Sequence, residues 1–121
     1  MEQIPKRARR KMKQRNIVLV PFPFSDQTGK KVRPALILSN NSFNENSDDL
    51  ILCGITSNTK SSKYSLSIDQ KDIEEGNLYE KSSIKVENVM KINKNLVIKA
   101  FAKLKKKSYI EVTKKLNELV K

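Results

Sequence analysis

The chain has 121 residues, with 25 lysines and arginines against 13 aspartates and glutamates, and no histidine. That length suits one domain with a real core, and a net charge of +12 with a pI near 9.9 draws it to polyanions, nucleic acid first. The missing histidine removes the commonest general base and the commonest zinc ligand, and a single cysteine, Cys53, excludes a multi-cysteine zinc site and an internal disulfide.

The positive charge is concentrated at the start. Residues 1–15 carry seven basic side chains (Lys6, Arg7, Arg9, Arg10, Lys11, Lys13, Arg15) against Glu2 alone. We read residues 1–14 as a flexible basic arm and 15–121 as the folded domain. No apolar run approaches the ~20 residues of a membrane span. No hydrophobic region follows the N-terminal charges, so a secretory signal is not expected. With a lone thiol in an apolar run, the expectation is a cytoplasmic protein.

In chain order, Ile17 to Val20 is a β-branched apolar run and predicts a buried strand, closed by Pro21 and Pro23. Ser25 to Lys31 has turn chemistry throughout. A second strand follows Pro34 through Ala35 to Leu38, and Ser39 to Asp49 reads as a polar loop. Leu50 to Ile55 is the third strand and Tyr64 to Ile68 a half-buried fourth. A polar connection containing Gly76 leads to a strand at Ser83 to Val86, and Asn95 to Leu104 alternates as another. The period then changes: Tyr109, Val112, Leu116 and Leu119 recur at helical spacing behind a Ser108/Glu111 capping box, predicting a helix over 108–120. Short strands, polar loops and one terminal helix predict a mainly β (α+β) domain, a small curved antiparallel barrel or half-barrel.

No glycine cluster forms a phosphate-cradling loop. Asp48–Asp49 and Glu74–Glu75 read as solvated loop carboxylates, so neither a metal nor a cofactor is expected. What remains is charge and hydroxyl chemistry at two run-ends: Arg33–Pro34 before the second strand, and Thr56-Ser57-Asn58 after the third. RNA cleavage by its own 2′-hydroxyl suits such residues. Negative charge builds on the phosphorane oxygens, which a fixed guanidinium and a hydroxyl donor stabilise. On spacing alone, the plainer reading comes first: Arg33 as a surface residue before a proline and Thr56 as a turn residue.

Three stretches carry a resemblance: "IVLVPFPFSDQTGKKVRPALILSN", "LCGITSN" and "GNLYEKSSIKVENVMKINKNLVIKAFAKL". From about Ile17 to the terminal helix, the chain resembles the MazF/PemK toxin endoribonucleases of type II toxin–antitoxin modules. The resemblance implies an SH3-like, partly open β-barrel with a C-terminal helix, usually a homodimer. It implies metal-independent cleavage of single-stranded RNA to 2′,3′-cyclic phosphate and 5′-hydroxyl ends, and an antitoxin peptide that occupies the RNA groove. It makes Arg33, Thr56 and Asp26 the catalytic candidates. Gln27, Thr28, Ser57 and Asn58, with Lys30 and Lys31, become the RNA contacts, and no metal is involved. The family usually opens its first strand with glycine-aspartate, where this chain has Arg15–Asn16. That departure keeps a noncatalytic RNA-binding module in view, and a DNA gyrase poison on the same scaffold is a further alternative.

Overall fold

The apolar runs are continuous rather than alternating because most of the strands are covered on both faces. In the computed structural model, which describes residues 12–23, 30–58, 60 and 62–121, they form a single antiparallel sheet. Its strands are β1 (Asn16–Pro23), β2 (Lys30–Ile37), β3 (Asp49–Thr56), β4 (Ser65–Ile68), β5 (Ile73–Gly76), β6 (Ser82–Asn93) and β7 (Lys99–Leu104). Their order is β4-β6-β3-β2-β1-β7-β5, so the short strands β4 and β5 form the edges of a half-barrel. Two helices complete the fold, α1 (Asn41–Asn46) and α2 (Lys106–Leu119). Among the described residues no helix is long and apolar enough to cross a membrane.

One face of the sheet buries Ile17, Leu36, Cys53, Ile55, Ile84 and Leu104 against Val112, Tyr109 and Leu116 of α2. The other gathers Val18, Val20, Ala35, Ile37, Leu50, Leu52 and Ile92, with Phe22 packed at its margin. Met12 joins this second cluster at 4% exposure, and Gln14 donates to the Leu38 carbonyl at 2.8 Å. The fold therefore begins at least three residues before the expected domain start at Arg15. Most of the expected basic arm, residues 1–11, lies outside the described residues.

Pro21 does not close β1 but lies inside it, opposite Val32, and the strand ends only at Pro23, opposite Lys30. The reason is register. The Leu19 carbonyl accepts from Ile98 N at 2.8 Å, so the odd-numbered residues of β1 turn their backbone toward β7. The β1–β7 pairing ends at Leu19, and beyond it a proline forfeits no ladder bond. Pro34 behaves likewise in β2. Leu38 N donates to the Ile51 carbonyl at 2.8 Å, so even-numbered residues face β3, and the β2–β3 pairing runs only from Ala35 to Ile37. Pro34 is the next even residue and has no N–H to extend that ladder. The two strands part there, with Arg33 inside β2 rather than ahead of it.

Four further expectations are corrected. The loop 39–49 contains α1, whose N-cap Asn40 accepts from Phe43 N at 2.8 Å. The connection around Gly76 contains the edge strand β5, held against β7. The run 95–104 opens with a 3₁₀ turn at Lys94–Leu96 before β7 begins at Lys99. Lastly, Ser108 caps nothing. Helix α2 starts after Lys105, which makes no side-chain cap, and the buried Ser108 hydroxyl donates to Asp72 Oδ1 at 2.8 Å. The capping box belongs to Asp69 and Asp72, on the 3₁₀ turn Gln70–Asp72.

Candidate active site

Where β2 and β3 part, the second face of the sheet opens into a cleft of about 310 Å³ lined by Phe22, Arg33, Gly54, Ile55, Thr56, Asn58, Lys85 and Asn88. Register explains the gathering. Arg33 lies opposite Val20, Ala35 opposite both Val18 and Gly54, and Gly54 opposite Lys85. Paired residues share a face and so do alternate ones along a strand, so Arg33, Gly54, Thr56 and Lys85 all project to one side. The two run-ends singled out in the sequence thus line one hollow.

Thr56 is the last residue of β3, and its Oγ accepts from Asn58 N at 3.1 Å. That bond fixes the hydroxyl as acceptor on the protein side and leaves its proton to donate elsewhere. The Asn58 carboxamide oxygen is taken by Lys60 N at 3.1 Å, which ties the loop after β3 into successive short turns. Ser57 is exposed and does not line the cleft, and Lys31 is exposed on β2, opposite Phe22. Lys30 begins β2. Asp26, Gln27 and Thr28 lie outside the described residues.

Three lining residues escaped the sequence reading. Lys85 brings a second cation, its Nζ donating to the Lys60 carbonyl at 3.2 Å. Asn88 comes from a break in the β3–β6 register, where Cys53 pairs with Val89 but the next residue, Gly54, pairs with Lys85. Phe22 belongs to β1, past the proline that was expected to end it. Among the described residues the cleft wall holds two cations, a hydroxyl and two carboxamides, and no carboxylate. Nor do any described residues gather three potential metal ligands of the His, Cys, Asp and Glu set. The chemistry of such a wall suits an anion.

Residues 13–120 match the family described as PemK-like, MazF-like toxin of type II toxin–antitoxin system. The chain belongs to that family. No curated protein matches it in sequence. Solved structures share its fold. The Mycobacterium tuberculosis toxin MazF-mt6 is 16% identical with a TM-score of 0.72, over 88% of this chain and 96% of that one. A MazE–MazF structure from Deinococcus radiodurans is 20% identical with a TM-score of 0.73, over 89% and 94%. A mycobacterial endoribonuclease in complex with its cognate antitoxin is 13% identical with a TM-score of 0.72, over 89% and 93%.

For a PemK/MazF-like toxin, Arg15 is the unusual residue. It holds φ at +78°, the left-handed region that a glycine enters without cost and an arginine does not. The start of β1 is nevertheless orderly: Arg15 N donates to the Ile37 carbonyl at 3.0 Å and its own carbonyl accepts from Leu104 N at 2.9 Å. The guanidinium bonds the Leu104 carbonyl at 2.8 Å and Glu74 at 3.1 Å, which offsets the backbone cost. Chiefly through that hydrogen bond, Arg15 holds the Glu74 carboxyl below the usual carboxylate range. Asn16 Oδ1 accepts from Lys13 N at 2.9 Å, a role open to an aspartate as well.

Proposed function

We propose that this toxin is an endoribonuclease that cleaves single-stranded RNA without a metal, leaving 2′,3′-cyclic phosphate and 5′-hydroxyl ends. The single observation behind the reading is that Arg33 and Thr56, on different strands, line one open cleft with Lys85 beside them. A scissile phosphate in that cleft meets the fork of a guanidinium, an ammonium and a hydroxyl donor. As the 2′-oxygen bonds to phosphorus and the bond to the 5′-oxygen breaks, charge accumulates on the non-bridging oxygens. Fixed donors stabilise that charge without reorganising. Arg33 is the principal partner of those oxygens, and Thr56 donates its hydroxyl proton to one of them. The proton leaving the 2′-hydroxyl is balanced by one gained at the 5′-oxygen. Asp26 would be the third catalytic group and Gln27 and Thr28 would add RNA contacts. By the same reading the toxin acts in the cytoplasm as a homodimer, and an antitoxin segment neutralises it by occupying the RNA groove.

The test is direct. Unstructured RNA is incubated with the protein in excess EDTA and the new ends are characterised. Cutting with cyclic-phosphate ends is expected. Intact RNA that stays bound would instead favour a noncatalytic module, and cutting abolished by EDTA would remove the metal-free mechanism.

A further inference from the structure

The edge strand β4 and the start of α2 border a second hollow, of about 380 Å³, lined by Leu66, Ser67, Lys71, Lys105 and Lys107 among others. It shares no lining residue with the cleft. Among the described strands β4 pairs with β6 alone. The Tyr64 carbonyl accepts from Val86 N at 3.1 Å, so even-numbered residues of β4 turn their backbone to β6 and Ser65 and Ser67 turn theirs outward. Ser65 N is taken by the Ser62 carbonyl at 3.2 Å. The Ser65 carbonyl and both backbone groups of Ser67 have no partner among the described residues. Lys71, Lys105 and Lys107 are exposed and enter none of the ion pairs among the described residues. The two carboxylates of this wall are engaged with other groups. Asp72 accepts from the Ser108 hydroxyl at 2.8 Å and from Asp69 N at 3.0 Å, and Glu111 lies 3.2 Å from Lys114.

Proteins often guard a free strand edge by placing lysines on it. Here the strand itself, Ser-Leu-Ser-Ile, carries no charge, and the lysines stand around the hollow beside it. We propose that this groove binds an acidic peptide in extended form, which adds a strand to β4. A peptide residue opposite Ser67 exchanges two backbone bonds with it and shares its face. The neighbours of that residue then point toward Leu66 and α2, where their carboxylates meet the three ammonium groups. A nucleic-acid strand would use the lysines but leave the strand edge unmet, so the peptide fits both features. The inference does not depend on the ribonuclease reading.

The probe is a fluorescein-labelled peptide of alternating threonine and glutamate, titrated into the full chain beside a labelled oligouridylate. Peptide binding that weakens with added salt is expected. The charge reversal K71E/K105E/K107E should weaken it at least about tenfold. S67P removes one outward N–H at an edge position, where proline is tolerated, and should weaken it about tenfold with the urea midpoint near wild type. Should S67P fail to fold, backbone-methylated peptides ask the same question of the native chain. Methylating the threonine amides, which face Ser67, should abolish binding, and methylating the glutamate amides should not. The proposal is overturned if the peptide does not bind, if both methylated peptides bind alike, or if Arg33→Ala removes binding that the lysine reversal leaves intact. Oligouridylate binding lost in the lysine reversal, with no peptide binding in wild type, would make the groove a phosphate surface instead.

Discussion

Arg33 lines the cleft where β2 and β3 part. Arg15, just ahead of β1, lies at a seam where β5, β7 and the start of α2 meet, with 13% of its side chain exposed. In the seam, polar groups satisfy one another. Arg15 bonds Leu104 and Glu74, Lys103 lies 3.7 Å from Glu74 and 3.8 Å from Glu75, Ser108 bonds Asp72, and Lys105 N donates to the Asp72 carbonyl at 2.8 Å. A hollow of about 470 Å³ next to it, lined by Lys13, Asn16, Glu75, Phe101 and Lys103 among others, is larger than the cleft, but its Lys103 already faces two carboxylates. In the cleft the cations have no carboxylate beside them among the described residues. Size alone does not decide which hollow suits an anion; carboxylates already in the wall count against it. The seam ties its polar groups to one another, whereas the cleft is where the proposed RNA would bind, so substitutions in the two regions should separate stability from activity.

The largest separation is expected from Arg33→Ala. Cleavage should fall by at least ~100-fold, the scale of losing one transition-state donor. The urea midpoint should stay near wild type, because Arg33 lines the cleft and belongs to neither hydrophobic cluster. Cutting at the wild-type rate would remove Arg33 from the chemistry, and an unfolded variant would show that the cleft residue is structural after all.

Arg15 is expected to do the reverse. Arg15→Ala loses a charge-assisted bond to a backbone carbonyl but keeps the left-handed φ, and should cost about 2 kcal/mol in urea unfolding. Arg15→Gly loses the same bond but relieves the backbone, and should recover roughly 1 kcal/mol of that loss. The order glycine above alanine is the diagnostic result. If alanine equals or exceeds glycine, the positive φ carries no cost and the seam is not strained.

The same contrast bears on what the sequence made legible. The apolar runs were readable because strands covered on both faces leave a continuous signature. Arg33 and Thr56 were readable as run-ends, because a guanidinium beside a proline and a hydroxyl after an apolar run are local patterns. Strand limits were not, because whether a proline breaks a strand depends on which neighbour its backbone faces. Pro21, Pro23 and Pro34 all face toward places where a ladder has ended. Phe22, Lys85 and Asn88 were not readable either. Lys85 and Asn88 join Arg33 through a register break in β6, and Phe22 because β1 runs on past Pro21; no local pattern encodes either. The Ser108/Glu111 pattern misled, because the spacing fits a capping box equally well one turn inside a helix.

That last difference can be measured. Ser108→Ala takes away a buried hydroxyl's bond to the Asp72 carboxylate while gaining some helix propensity, for a net cost of about 1 kcal/mol. Glu111 lies on the exposed side of α2, 3.2 Å from Lys114, and Glu111→Ala should stay within about 0.5 kcal/mol of wild type. Equal losses from the two variants would restore the capping box and dissolve the Ser108–Asp72 tie across the seam.

The smallest effect is invisible at neutral pH. Cys53 precedes Gly54 in β3 but points to the opposite face, into the core beneath the cleft. Burial, with a lesser contribution from Glu87, pushes its thiol from an ordinary 9.0 up to about 12. Below pH 9 the thiol is protonated in both folded and unfolded chains and does not affect the balance. Between 9 and 12 the unfolded chain releases a proton that the folded chain keeps, so stability falls as pH rises. Tyr109, also raised chiefly by burial, acts in the same sense. Cys53→Ala should therefore show a shallower alkaline loss of stability than wild type, whatever its cost at pH 7. The native thiol should also resist iodoacetamide at pH 8 and react only in denaturant, since the nucleophile is the thiolate. Rapid alkylation of the native chain would mean that the sheet opens under the cleft, and the rigid wall on which Arg33 and Thr56 are mounted would have to be given up.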